Sequence, residues 1–251
     1  MLTLELFIIG FALLLGGLIK GLSGIGLPMV ALPILSTQVS IQNAILLLTL
    51  PILFSNLAQA KEINLHHINQ TWILVLLSSL LAGITLGSFL LFSHQHWILL
   101  ITAISLTLYS VIALSGYHIR IKEESRITSA ALTGSIAGFI GGGTSLYGWP
   151  LVIYTSALNL NKRDFISTIS AIYLIAHLYF MATLYFQNML TKQTMIFSFL
   201  ASIPVFVGIF IGQVFNKKIN QKHFYKLIQL LILIGGIILF FQIPNHFWSS
   251  I

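Results

Sequence analysis

The chain has 251 residues, of which 57% are hydrophobic and only 7% are charged. Soluble globular proteins carry about 25% charged residues, so the composition excludes a water-soluble domain and predicts a surface that mostly faces lipid. The net charge is +7, but the basic residues lie in short gaps between apolar runs. That distribution is typical of membrane-protein loops and argues against a nucleic-acid partner. The absence of cysteine excludes disulfides, thiolate metal sites and cysteine nucleophiles.

The first residues are apolar and include one acid, Glu5, with neither a basic start nor a small-residue cleavage site. We therefore expect a retained first helix rather than a signal peptide. A spanning helix takes about 20 mostly apolar residues. Eight segments qualify: 4–36, 41–60, 71–92, 97–117, 127–158, 165–187, 194–216 and 223–243. The sequence predicts an all-α fold, a polytopic transmembrane helical bundle.

Two of these segments, 4–36 and 127–158, are too long for one crossing, and glycines interrupt both of them. Because glycine and proline break helices, each segment is predicted to fold as a hairpin of two short helices. We call the glycine turn of each hairpin its tip, and the sequence leaves open whether the hairpins cross the bilayer or re-enter it. The interrupting residues are Gly21, Gly24, Gly26 and Pro28 in the first segment and 138–143 in the second.

The two long segments also begin the two halves of an internal repeat. A shift of 117 positions places Gly17, Gly21, Gly24, Gly26 and Pro33 on Gly134, Gly138, Gly141, Gly143 and Pro150. Later, the pair Gly83 and Gly87 matches the pair Gly208 and Gly212, at a spacing that suits close helix packing in lipid. We predict a first repeat over 1–117, a charged linker over 118–126 and a second repeat over 127–251. Each repeat has one broken hairpin and three spanning helices.

The basic residues predict the topology of the chain. If each hairpin enters and leaves on the same side, one face of the membrane holds only Lys192 between its helices. The other face then holds Lys61, Arg120, Lys122, Arg126, Lys162, Arg163, Lys217, Lys218, Lys222 and Lys226. The positive-inside rule makes that second face cytoplasmic and places both termini outside the cytoplasm. The two repeats are then inverted relative to each other, as in many secondary transporters.

A break inside the membrane exposes backbone N–H groups, which is tolerated only in a cavity or within protein. The N-terminus of a helix attracts anions, so two opposed tips near the bilayer midplane are expected to form an anion site. Hydroxyls at the tips can donate to an oxyanion or bond their own helix. The predicted substrate-binding residues are Lys20, Ser23, Gly24, Gly26 and Asn56 in the first half and Gly141, Gly142, Gly143, Thr144, Ser145, Tyr147 and His177 in the second.

Two of these residues are ionisable side chains that lie within apolar helices. Lys20 can neutralise a bound anion or pair with a carboxylate, although a lysine can also extend to the membrane interface. His177 can serve as a protonation switch, as a hydrogen-bond donor to substrate, or as a packing residue. Asn56 is its approximate counterpart in the first repeat.

Other functions remain open at this stage. Ser23 within Gly21-x-Ser23-Gly24, together with His177, suggests the Ser–His dyad of an intramembrane protease. A membrane assembly subunit without transport activity is a further alternative. We favour the transport interpretation, and therefore expect no catalytic residues, no metal site and no cofactor.

The glycine and proline pattern resembles the sulfite exporter TauE/SafE family of membrane proteins. The resemblance rests on Gly21-x-x-Gly24-x-Gly26 followed by Pro33, and on Gly138-x-x-Gly141-Gly142 followed by Pro150. It runs nearly the whole length of the chain. It implies export or uptake of small anions, often sulfur-containing inorganic or organic acids, across a bacterial inner membrane. The expected partners are thus a small anionic solute and the lipid bilayer, without nucleic acid, and the sequence is compatible with a homo-oligomer.

Overall fold

The computed structural model describes residues 2–59, 70–93, 95–116, 120–158, 160–216 and 221–248. Within those ranges every regular element is helical, which confirms the predicted all-α class. The first five helices are α1 (Leu2–Ser23), α2 (Leu27–Leu35), α3 (Ile41–Gln59), α4 (Thr71–Ser93) and α5 (Gln95–Ser115). After a 3-10 turn at Glu123–Ser125 come α6 (Arg126–Thr144), α7 (Gly148–Ala157), α8 (Lys162–Phe186), α9 (Lys192–Asn216) and α10 (Gln221–Trp248).

Seven helices in the described residues are long and apolar enough to cross a membrane, namely α1, α3, α4, α5, α8, α9 and α10. Large apolar side chains on these helices remain exposed, among them Phe7, Phe89 and Phe210. A water-soluble surface would not tolerate so much exposed apolar area. The chain is therefore a multi-pass membrane protein.

Both long segments break into two helices, as the glycines predict. In the first segment α1 ends at Ser23 and α2 begins at Leu27, so the break falls at the predicted glycines. In the second segment α6 continues to Thr144 and α7 begins at Gly148. The predicted position of the second tip is therefore wrong by about one turn, because the glycines from 138 to 143 lie inside α6. From here on the first tip is 23–26 and the second tip is 144–147.

The second helix of each hairpin is short. The nine residues of α2 extend about 14 Å and the ten residues of α7 about 15 Å, at 1.5 Å per residue. The hydrocarbon core is about 30 Å thick, so neither return helix can cross it. Hydroxyl groups close the end of α2, because Ser36 donates to the carbonyl of Pro33 and Thr37 to that of Ile34. The hairpins are therefore built as one long helix and one half-length return.

The chain folds as two compact units. The first contains α1, α2, the part of α3 up to Ile52, α5, α9 and α10. Its closest helix contact joins α1 to α9, where glycines let the two backbones meet. A Cβ on Gly17 would overlap the carbonyl of Val205, and one on Gly21 would overlap the carbonyl of Ile209.

The second unit contains the rest of α3, α4, α6, α7 and α8. Its closest contact joins α4 to α6 in the same manner, with Gly138 against the carbonyl of Leu80 and Gly142 against that of Ile84. Aromatic contacts close the end of the unit near the linker. The guanidinium of Arg126 lies 4.8 Å from the ring centre of Trp72, and the hydroxyl of Tyr154 donates to the carbonyl of Arg126.

Matching contacts in the two units define the register of the repeat. Gly138 and Gly142 follow Gly17 and Gly21 by 121 positions, and the left-handed residue Ser145 follows Gly24 by 121. The contacts thus align the hairpins one turn away from the predicted shift of 117. The compact units also do not coincide with the predicted repeats, since α1 packs on α9 and α4 on α6. The repeat boundaries and the inversion remain predictions, and residues 117–119 at the boundary lie outside the described residues.

A proline interrupts α3 inside the first unit. Pro51 has no N–H, so the carbonyl of Leu47 loses its partner within the helix. The hydroxyl of Ser198 on α9 donates to that carbonyl at 3.0 Å and accepts from the N–H of Leu50 at 2.9 Å. Ser198 thus supplies the hydrogen bond that Pro51 cannot give to the carbonyl of Leu47.

We expect Ser198→Ala to lower the stability of the protein by about 1–3 kcal/mol, because the partly buried carbonyl of Leu47 would lose the partner that replaces its missing helix bond. The matched control is Ser202→Ala, one turn further along α9. The hydroxyl of Ser202 bonds only the carbonyl of Ser198 in its own helix, so its loss should cost less than about 1 kcal/mol. Melting temperatures in detergent measure the difference, and equal losses would contradict the bridging role of Ser198.

Candidate functional site

The first tip is a tight turn that requires glycine. Gly24 and Gly26 have φ values of 79° and 98°, a region that other residues rarely enter. The N–H of Gly24 donates to the carbonyl of Lys20 at 2.7 Å and thereby closes the last turn of α1. The hydroxyl of Ser23 lies 2.8 Å from the carbonyl oxygen of Ile19 and 2.6 Å from that of Ile25. Ser23 therefore bonds its own backbone, which is one of the two roles predicted for it.

Lys20 is buried in the last turn of α1, with 7% of its surface exposed. Its carbonyl is the acceptor that closes the first tip, so the residue lies directly beside the turn. Taking an ammonium group out of water is costly unless negative charge or polar groups surround it. Lys20 thus puts a buried, ionisable side chain beside the first tip.

The second tip has the same backbone pattern with different side chains. Ser145 has a φ of 63°, and its N–H donates to the carbonyl of Gly141 at 2.7 Å, as Gly24 does in the first tip. Thr144 bonds the carbonyl of Ile140 and accepts from the N–H of Leu146. A left-handed serine is uncommon and strained relative to glycine. Serine at this position therefore costs backbone strain and supplies a hydroxyl group that glycine would lack.

That hydroxyl is the most unusual feature of the second tip. Ser145 is 3% exposed, and its Oγ has no hydrogen-bond partner among the described residues. A buried hydroxyl without a partner costs free energy, so native structures rarely leave one unused. It lies in the turn that leads into α7, whose first N–H groups have no acceptor within the helix. The turn combines a free hydroxyl with the N-terminus of a ten-residue helix.

Helix α8 packs against the second tip and orients it. The hydroxyl of Tyr147 lies 2.7 Å from Nδ1 of His177. The hydroxyl of Tyr173, one turn earlier on α8, donates to the carbonyl of Gly148 at 2.9 Å. Both α8 residues are buried. The predicted residues Thr144, Ser145, Tyr147 and His177 are thus brought together in one unit.

Tyr173 was missed by sequence reasoning. Its spacing of four residues from His177 puts the two on one face of α8, which is the signal that could have found it. Tyrosine is common in apolar helices and its hydroxyl carries no charge, so the pattern alone does not separate it from packing residues.

The predicted glycines Gly141, Gly142 and Gly143 are buried in α6, one turn before the tip. A Cβ on Gly141 would come within 2.5 Å of the Cβ of Tyr147, so this glycine makes room for the tip tyrosine. Gly142 packs against the backbone of α4. In these positions Gly141 supports the tip and Gly142 packs helices together. Direct contact of the three glycines with substrate remains a prediction.

Asn56 lies in the part of α3 that belongs to the second unit and is 2% exposed. It precedes His177 by 121 positions, the same shift that relates the two tips. The correspondence predicted from the sequence therefore agrees with the register of the contacts. Its predicted role in binding substrate stays a prediction.

The described hydrogen bonds of Ser23 and His177 go to other groups. The hydroxyl of Ser23 bonds the backbone of the first tip, and Nδ1 of His177 faces the hydroxyl of Tyr147. Among the described residues no group of three or more histidines and acids could hold a metal ion. The hydroxyl groups of both tips can donate hydrogen bonds.

Comparison with known families agrees with this architecture. The family model described as "Sulfite exporter TauE/SafE" matches residues 8–239, which include both hairpins and all but the two ends of the chain. Neither the curated proteins nor the solved structures compared with the chain give a match. The resemblance seen in the glycine and proline pattern is confirmed: the chain belongs to the sulfite exporter TauE/SafE family.

Proposed function

We propose that this protein is a secondary transporter that exports a small anion, a sulfur-containing or organic acid of the sulfite or sulfonate type, across the bacterial inner membrane. Membership in a family of membrane transporters supports the general activity. The seven candidate spanning helices support the location in a membrane. The choice of anion and the direction rest on the family and on the chemistry of the tips.

The observation that carries the proposal is the second tip. A strained serine holds a buried, unpartnered hydroxyl in the turn that begins α7. Helix N-termini bind oxyanions through free N–H groups, and a hydroxyl adds a further donor. Tyr147 lies in the same turn and is held by His177. The N–H groups and the hydroxyl of Ser145 can donate hydrogen bonds to an oxyanion without carrying a charge. The hydroxyl of Tyr147 can do so when Nδ1 of His177 carries the proton of their shared hydrogen bond.

The first tip adds an ionisable side chain of its own. Lys20 is buried beside a glycine turn, where it can neutralise a bound anion. The glycines at 24 and 26 leave the backbone of that turn open to close approach. We propose that Lys20 and the glycine turn beside it contact the anionic solute at the first tip.

Purified protein tests the proposal through its melting temperature in the presence of sodium sulfite, sulfonates and small carboxylates. A ligand that binds only the folded state stabilises it in proportion to the logarithm of its concentration. We expect the melting temperature to rise with at least one of these anions. Sodium chloride at equal ionic strength is the control and should not raise it. A flat response to the whole panel would overturn the anion site. Measurable peptide hydrolysis lost in Ser23→Ala would favour the protease alternative instead.

The proposed sidedness makes a separate prediction. Reporter fusions after Ser125 and after Gln221 should both read cytoplasmic, and a fusion after Ile251 should read external, because the basic residues cluster in one set of loops. Three of these basic residues are exposed, as cations in loops and at helix ends should be: Arg120, Lys122 and Lys226. Three others lie outside the described residues: Lys61, Lys217 and Lys218. Opposite readings at Ser125 and Gln221 would contradict the inverted arrangement.

A further inference from the structure

Tyr147 in the second tip is held by groups from two helices of the second unit. Its hydroxyl lies 2.7 Å from Nδ1 of His177 on α8, and the centre of its ring lies 6.0 Å from that of Tyr173 in an edge contact. On the side of α6, a Cβ at Gly141 would come within 2.5 Å of the Cβ of Tyr147. Tyr147 is 4% exposed and His177 is completely buried. The ring of Tyr147 is therefore confined, whereas the proton in its hydrogen bond has two possible positions.

The two positions of that proton give Tyr147 opposite roles toward an anion. When the phenol donates to Nδ1 of His177, its oxygen offers only lone pairs to other groups, and lone pairs repel an oxyanion. When Nδ1 carries the proton and donates to the phenol oxygen, the phenol proton is free to point at an anion. A neutral imidazole allows either arrangement, because its one N–H can lie on either nitrogen. A protonated His177 has an N–H on both nitrogens, so it allows only the second arrangement.

A proton on His177 also adds charge close to the tip. The ring centres of His177 and Tyr147 are 6.3 Å apart, and both side chains are buried. Charges interact more strongly in a buried, low-dielectric setting than across water. An imidazolium at this distance therefore attracts an anion at the second tip, and the anion in turn favours the imidazolium. The released donor and the added charge act in the same direction.

The helices that pack against α8 contribute few other ionisable side chains. Helices α3 and α4 contain none. Tyr154 of α7 donates to the carbonyl of Arg126, at the linker end of the unit. The acids Glu123 and Glu124 lie in the 3-10 turn beside it. These groups belong to the linker end, whereas His177 contacts the tip.

Helix α8 itself carries three further ionisable groups to consider. Tyr173 donates to the carbonyl of the first residue of α7. The hydroxyl of Tyr179 lies 2.9 Å from a threonine hydroxyl of α4. Asp164 lies in the first turn of α8, and its distance from His177 along the helix is about 20 Å at 1.5 Å per residue. Asp164 is thus the carboxylate against which a role of His177 must be tested.

We propose that the second tip binds its anion together with a proton carried by His177, and that Tyr147 passes the state of that proton to the binding turn. The inference rests on the proposed anion site at this tip and names the ion that accompanies the solute. Because binding takes up a proton, the affinity for the anion is greatest at low pH, where His177 is already protonated, and falls as the pH rises. One proton per anion changes the affinity by at most about tenfold per pH unit.

Isothermal titration calorimetry of the purified protein with sodium methanesulfonate tests the proposal, because a sulfonate keeps its charge at every pH used, whereas sulfite gains a proton near neutrality. We expect the affinity to fall at least several-fold between about pH 5.5 and about pH 8. In His177→Gln the amide can still donate to the phenol but does not titrate, so the affinity should change much less with pH. Asp164→Asn is the matched control and should keep the full pH dependence. An unchanged pH dependence in folded His177→Gln would overturn the proposal.

A measurement that leaves His177 in place decides the question if His177→Gln does not fold. Lys20 at the first tip can also change anion affinity with pH, and Lys20→Arg removes that contribution because a guanidinium stays charged. In Lys20→Arg the binding of methanesulfonate should still take up a proton, seen as a heat of binding that differs between buffers of different ionisation enthalpy. Binding without proton uptake would overturn the proton at His177 and leave the anion site standing. If methanesulfonate does not bind at any pH, the anion site proposed for the second tip fails, and this inference fails with it.

Discussion

Gly208→Ala is expected to prevent stable folding. The added Cβ would overlap the carbonyl oxygen of Leu14 and lie close to the backbone N of Leu18, and neither backbone can move aside without separating α1 from α9. Overpacking of a tight interface costs about 1–3 kcal/mol, and more where backbone must move. We expect the melting temperature to fall steeply, and any folded fraction to retain its response to anion because the tips are untouched.

Gly10→Ala on α1 is the matched control. No atom lies within 4 Å of a Cβ at Gly10, so the substitution meets open space. Alanine is a better helix former than glycine by up to about 1 kcal/mol, and the melting temperature should stay the same or rise. If Gly10→Ala and Gly208→Ala lower the melting temperature equally, the close contact of Gly208 with the backbone of α1 does not explain the effect.

Lys20→Met is expected to leave the protein folded and to weaken anion binding and transport at least several-fold. Methionine fills similar volume in the buried site without the charge, so packing is largely kept. What is lost is the positive charge beside the first tip, where a bound anion has little water to screen it. Binding is followed as anion-dependent stabilisation, and transport as flux into vesicles.

Two further variants separate charge from packing at Lys20. Lys20→Arg keeps the positive charge and should retain part of the anion response, whereas Lys20→Met should not. Lys192→Met removes an exposed lysine at the start of α9 and should have no effect. Normal anion response in folded Lys20→Met would assign Lys20 to the interface-seeking role that the sequence also allows.

The sequence predicted the helical class, the broken hairpins and the family because these depend on strong local signals. Long apolar runs and clustered glycines are readable without tertiary information. The register of the repeat was not readable in this way. Glycines recur every four residues at Gly134, Gly138 and Gly142, so a shift by one turn again places glycine on glycine. Packing contacts across α4 and α6 were needed to distinguish 121 from 117.

The candidate site was only partly predictable for a related reason. The hydroxyls of Thr144, Ser145 and Tyr147 and the imidazole of His177 stand out in an apolar sequence, and the structure does bring them together. The left-handed conformation of Ser145 did not stand out, because glycine is the usual residue there.

The most direct test of the central claim is anion flux in proteoliposomes loaded with sodium sulfite. We expect saturable sulfite release that requires the protein, persists in Lys192→Met and is strongly reduced in Lys20→Met. Empty liposomes and liposomes with heat-denatured protein set the background leak. If folded, reconstituted protein releases neither sulfite nor any sulfonate or small carboxylate above that background, this chain is not a small-anion transporter.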